Sequence, residues 1–124
     1  MIAQYSQGNN TFKTRFAVFK GESITTVLSE DVAYFYTEDK VVFLVQHTGE
    51  KNSINYTLEQ LERSLNPQQF FRINRQFIVS LKGIAKASNY FNYKLKVHLN
   101  PPAPTEVIVS SLKAAEFKQW MDGA

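Results

Sequence analysis

Cysteine is absent from the 124 residues, which removes disulfide staples, thiolate metal ligands and cysteine nucleophiles together. No apolar run approaches the roughly 20 residues that a membrane-spanning helix requires. The opening stretch MIAQYSQGNNTFKTRF lacks the basic-then-apolar order of a secretory leader. A cytoplasmic protein without membrane contact is the expectation. Glycine is sparse, at five residues, and none of them builds a phosphate-binding loop or a dinucleotide fingerprint. The two histidines, His47 and His98, stand far apart with no cysteine or paired carboxylate beside them, so neither metal ligation nor general acid–base work is indicated. Ser80, Ser110 and Ser111 have no neighbouring base to activate them. We expect no catalytic residue, no cofactor and no metal.

Acidic residues are also missing from one long stretch. Between Arg63 and Thr105 there are seven basic residues (Arg63, Arg72, Arg75, Lys82, Lys86, Lys94, Lys96) and no Asp or Glu. The net charge of +3 therefore hides a basic second half set against an acidic remainder. Two readings are open: a positive face that attracts a polyanion, or a solvated surface balanced in space by the first half.

What is abundant is aromatic and β-branched: ten Phe and six Tyr beside many Val and Ile, a composition that favours strands. Residues 1–11 carry no periodicity and read as a tail or linker end, leaving residues 12–124 as one domain. Strands are expected at 12–20, 23–28, 31–36, 41–46, 51–56, 70–73, 77–81, 84–91, 93–99 and 106–109, with turns at 21–22, 37–40 and 47–50. Thr57 with Gln60 three residues later forms a capping box. Leu58, Leu61 and Leu65 then recur at helical spacing until Pro67. A second helix begins near Ser110 or Ser111, with Leu112, Ala115, Phe117, Trp120 and Met121 as expected packing residues. The class is mostly β, with small antiparallel sheets and two short helices.

One segment concentrates recognition chemistry. In FFRINRQFIVSLKGI, residues 70–84, the polar triplet Asn74-Arg75-Gln76 interrupts two apolar strands. Arg suits guanine O6 and N7, and Asn or Gln suits adenine N6 and N7. From the residues alone, a plain polar turn in which Asn74 caps the backbone is the simpler reading of the same triplet. Arg72 likewise has two roles open to it, a phosphate contact and an ion pair with Glu59 or Glu62.

Over residues 12–121 the chain resembles the LytTR DNA-binding domain family. The resemblance runs through ITTVLSEDVAYFY (Ile24 to Tyr36), the helix start YTLEQLE (Tyr56 to Glu62), FFRINRQFIVS (Phe70 to Ser80), and VIVS followed by SLKAAEFKQWM from Val107 onward. The central block is similar to the family signature F-x-R-[IV]-[HN]-R-S-[FY]-[IL]-V-N. The resemblance implies an elongated stack of small antiparallel sheets whose loops enter successive major grooves of promoter DNA. It further implies output function in a bacterial transcription regulator, a second copy on an adjacent repeat, and a receiver domain ahead of the DNA-binding part. By position it assigns DNA contact to Lys40 in one turn, to Asn74, Arg75 and Gln76 in a second loop with Arg72 beside them, and to Ser111 and Lys113 in a third. Three positions depart from the pattern: Gln76 stands for Ser, Ser80 for Asn, and Ser111 for Arg. The last puts a guanine contact from that position in doubt. Rival readings are a protein-interaction module built on exposed strand edges and a single-strand binder using Tyr90 and Phe91.

Overall fold

The computed structural model describes residues 11–123; the tail expected before them lies almost wholly outside the described residues. Strands β1 (Arg15–Lys20) and β2 (Ser23–Leu28) form a two-stranded hairpin. Strands β3 (Val32–Glu38), β4 (Val41–Gln46), β5 (Lys51–Ile54), β6 (Phe70–Arg72) and β7 (Phe77–Ser80) make a five-stranded sheet in the order β5-β4-β3-β7-β6. Strands β8 (Ile84–Tyr90), β9 (Lys94–Leu99) and β10 (Val107–Val109) make a third sheet, ordered β10-β9-β8. All pairings are antiparallel. Helix α1 spans Leu58–Ser64, between β5 and β6, and α2 spans Ser111–Asp122 after β10.

The central sheet is apolar on both faces, because alternate residues go to two different cores. From β3, β4 and β7, Phe35, Val42, Leu44 and Ile78 meet Phe16, Val18 and Val27 of the hairpin and Leu58, Leu61 and Leu65 of the α1 segment. Tyr34, Tyr36, Val45, Phe77 and Val79 turn the other way, against Leu95, Val97, Leu99, Val107 and Val109 of the third sheet and Phe117 of α2. A bulge between Val32 and Tyr34 breaks the alternation once and sends both Ala33 and Tyr34 to the second core. Stacking three small sheets in this way buries apolar area that no single one of them could bury alone.

Element ends moved by one to three residues where turn chemistry competes with strand pattern. Phe12 lies outside β1 and is half-buried. The expected four-residue turn at 37–40 contracts to Asp39-Lys40, both left-handed (φ 53 and 67), the backbone that a tight two-residue hairpin demands. The capping box is present as expected, with Gln60 N donating to Thr57 Oγ1 and Thr57 N to Gln60 Oε1, both at 3.0 Å. The packing expected of α2 needs correction. Phe117 is buried and Trp120 half-buried as expected, but Leu112, Ala115 and Met121 are exposed, and Ala114 is buried instead. The helix is nearly without amphipathic contrast, so its sequence alone does not indicate which stripe docks.

Candidate nucleic-acid interface

Three connections meet at one end of the central sheet. The β3–β4 turn lies there because β3 runs toward it while pairing with β7 through Tyr36 and Phe77. The β6–β7 loop, residues 73–76, enters β7 at the same end. Two hydrogen bonds couple them: Thr37 N donates to Gln76 O at 3.0 Å, and Gln76 Nε2 donates to Thr37 O at 3.3 Å. The third connection, from β10 into α2, is tied in by Asn74 Nδ2, which donates to Ile108 O at 3.0 Å. Ser110 caps α2, its Oγ accepting from Lys113 N at 3.3 Å. Lys40, Asn74 to Gln76 and Ser111 to Lys113 thus belong to one connected rim.

Within the central loop the side chains divide into holders and a free one. Asn74 Oδ1 accepts from Gln76 N at 2.8 Å and Phe77 N at 2.9 Å, an Asx-type turn. With its amide also bound to Ile108, Asn74 keeps a single unengaged N–H. Arg72, whose side chain is only 14% exposed, clamps the loop from below. Its Nε donates to Asn74 O and its Nη2 to Arg75 O, each at 3.1 Å. Its Nη1 reaches Glu59 at 3.1 Å and Glu62 at 3.2 Å on α1, so the ion pair read from the sequence is present. Glu59 is held below the ordinary carboxylate range, first by its own backbone N–H and then by Arg72. Arg75 is exposed, and among the described residues its guanidinium has no hydrogen-bond or ion-pair partner. The loop is fixed on both sides and offers one unspent cationic fork outward.

The remaining expected contacts are less committed. Lys40 and Ser111 are exposed. Lys113 is half-buried, with its Nζ 5.4 Å above the ring of Phe71, a cation–π contact that steadies its stem. Arg75, Ser110, Lys113 and Lys94 line one open groove with Ile108. Lys94 joins this groove from β9. The sequence had left it undecided, since strand alternation does not say which face meets which loop. Lys82 sits at the opposite end of the sheet, beside Glu30 and His47. Lys86 and Lys96 point outward from the third sheet, and Lys96 pairs with Glu106 at 3.0 Å. Ser80 is structural: it is buried, and its Oγ donates to Ala33 O and accepts from Gly83 N.

This arrangement of stacked small sheets with clustered loops matches known proteins. The profile of the LytTr DNA-binding domain family matches residues 22–122, and the chain belongs to that family. Among curated relatives, the sensory transduction protein LytT of Bacillus subtilis is 30% identical over 120 residues, 97% of this chain and 48% of that protein. An uncharacterized response regulatory protein of Vibrio cholerae is 28% identical over 107 residues, 81% of this chain and 41% of its own length. The transcriptional regulatory protein LytR of Staphylococcus aureus is 32% identical over 74 residues, 60% and 29% respectively. The chain therefore spans less than half the length of these relatives. A solved Bacillus cereus chain, assigned as the LytTr DNA-binding domain of a methyl-accepting/DNA response regulator, superposes with a TM-score of 0.75 at 20% identity. The match covers 88% of this chain and 97% of that one, and it bears out the mostly β, stacked-sheet architecture. Among the described residues no helix is long and apolar enough to cross a membrane.

Proposed function

We propose that the chain reads double-stranded promoter DNA as the output domain of a transcription regulator, with its three-loop rim facing successive major grooves. The observation that carries this is Arg75: a guanidinium without a partner among the described residues, on a loop clamped by Arg72 and by the three hydrogen bonds of Asn74. Base readout depends on placing a bidentate fork with little left to reorganise. Arg75 then serves as the base-reading residue. Gln76, exposed and with its Oε1 without a partner among the described residues, assists, and Asn74 acts mainly by holding the loop. Arg72 acts through the loop rather than on phosphate, since its donors are spent on carbonyls and carboxylates. Lys40 and Lys113 contact phosphates, giving affinity and salt dependence, and Ser111 offers a hydroxyl where the resemblance favours Arg. No cofactor or catalytic step is needed. The greater length of the relatives supports a receiver domain in the full-length protein, and a second copy is expected on an adjacent repeat. Fluorescence anisotropy on duplexes selected from a random pool tests the reading. A steep fall in affinity with salt, reduced by Lys40→Gln and Lys113→Gln, is expected; salt-independent binding overturns it.

A further inference from the structure

The tip of the β8–β9 hairpin, Phe91-Asn92-Tyr93, is absorbed by none of the roles above. It exposes two aromatic side chains side by side: Phe91 is 63% and Tyr93 91% exposed. Its backbone is unusual as well. Asn92 and Tyr93 both sit in the left-handed region (φ 59 and 62), which disfavours a bulky residue such as Tyr by about 1–2 kcal/mol. The tip is nonetheless well built. The Tyr90 and Phe91 rings are in contact, tilted by 31° with centroids 4.2 Å apart, Tyr90 Oη donates to Glu106 at 3.4 Å, and the turn packs against α2. Lys94, immediately after it, reaches over the Phe91 ring at 5.8 Å and lines the groove that holds Arg75, Ser110 and Lys113.

We infer that this tip is a fourth DNA contact, in which Tyr93 and Phe91 pack against deoxyribose and Lys94 meets a phosphate beyond the base pairs read by Arg75. The inference rests on the DNA-binding reading. What commits the occupant to duplex backbone is continuity and charge. The tip adjoins the proposed interface through Lys94, and the carboxylates nearby are engaged by other cations: Glu106 by Lys96, and Glu59 and Glu62, which share the groove, by Arg72. An aromatic pair flanked by a cation suits the alternating apolar sugar and anionic phosphate of a duplex edge. Contacts of this kind position the protein without reading sequence.

The test uses duplexes recovered by selection with the wild-type protein, in a long form and in a form trimmed of flanking base pairs. On the long duplex, Phe91→Ala/Tyr93→Ala is expected to weaken binding about 5- to 20-fold with no change in the salt slope, because no charge is removed. Lys94→Gln is expected to lower that slope by about one. On the trimmed duplex both effects should vanish while the Arg75→Ala loss persists. Equal affinity of the double variant and the wild type on the long duplex, with Arg75→Ala still defective, overturns the tip contact and leaves the base reading standing. Loss confined to single-stranded oligonucleotides also overturns it, in favour of a stacking platform. If Arg75→Ala itself has no effect on either duplex, the failure belongs to the DNA-reading proposal. Both tip side chains are exposed, so an unchanged urea midpoint confirms that folding is intact.

Discussion

Replacing Asn74 with Ala isolates the device that holds the recognition loop. The change deletes two accepted hydrogen bonds, from Gln76 N and Phe77 N, and one donated to Ile108 O. Each such bond contributes about 0.5–1.5 kcal/mol net, and a backbone group left unpaired in a partly buried place costs about 1–3 kcal/mol. Gln76 N can turn to water. Phe77 N and Ile108 O, both in part-buried bonds, have less access to it. The expected loss is about 2–4 kcal/mol, read from urea unfolding as a lower midpoint at an unchanged slope. A second consequence separates holding from reading. At a temperature where the variant is fully folded, DNA affinity should still fall about tenfold. The freed loop must be ordered on binding, at roughly 1–2 kcal/mol per residue fixed. A stability loss below about 0.5 kcal/mol would refute the reasoning, because it would mean that the three bonds do not constrain the loop in solution.

Other consequences follow from the same packing. A Cβ on Gly83 would stand 2.2 Å from Ala33 O, a backbone atom with nowhere to retreat. Gly83→Ala should therefore cost about 3 kcal/mol or more by calorimetry. Tyr34, buried and donating to Pro102 O at 3.1 Å, has its phenol pushed from 10.0 up to about 12, first by desolvation and then by Tyr36. Its neutral form is thus favoured by folding. The associated stability is fully present below about pH 10 and lost as pH rises through about 12, on the order of 2–3 kcal/mol. Tyr34→Phe should flatten that alkaline decline in urea midpoints measured between pH 9 and pH 12; an unchanged slope contradicts the assignment.

The fold was legible where local chemistry and pattern agree. The capping box at Thr57 and Gln60 and the leucine stripe of α1 are short-range signals, and each is present as read. Legibility failed where tertiary contacts decide. Helix α2 buries Ala114 rather than Leu112 because its docking stripe is set by Phe71 and the third sheet, which no helical periodicity encodes. In the candidate site, the triplet at 74–76 was visible as polar residues between apolar strands. The division of labour inside it was not. That Asn74 reaches Ile108 and Arg72 reaches the loop carbonyls depends on pairings 34 and a few residues apart in sequence. Lys94 was undecidable for the same reason, since its strand parity is plain but the neighbour on that face is not.

The most direct measurement is the affinity ratio between a selected operator duplex and a scrambled duplex of equal length, for wild type and Arg75→Ala at one fixed salt concentration. A fork held ready for a base edge predicts that the substitution costs about 1–3 kcal/mol on the operator, roughly 5- to 150-fold, and much less on the scrambled duplex. An equal loss on both duplexes would make Arg75 a phosphate contact, and the claim that this loop reads sequence would fall.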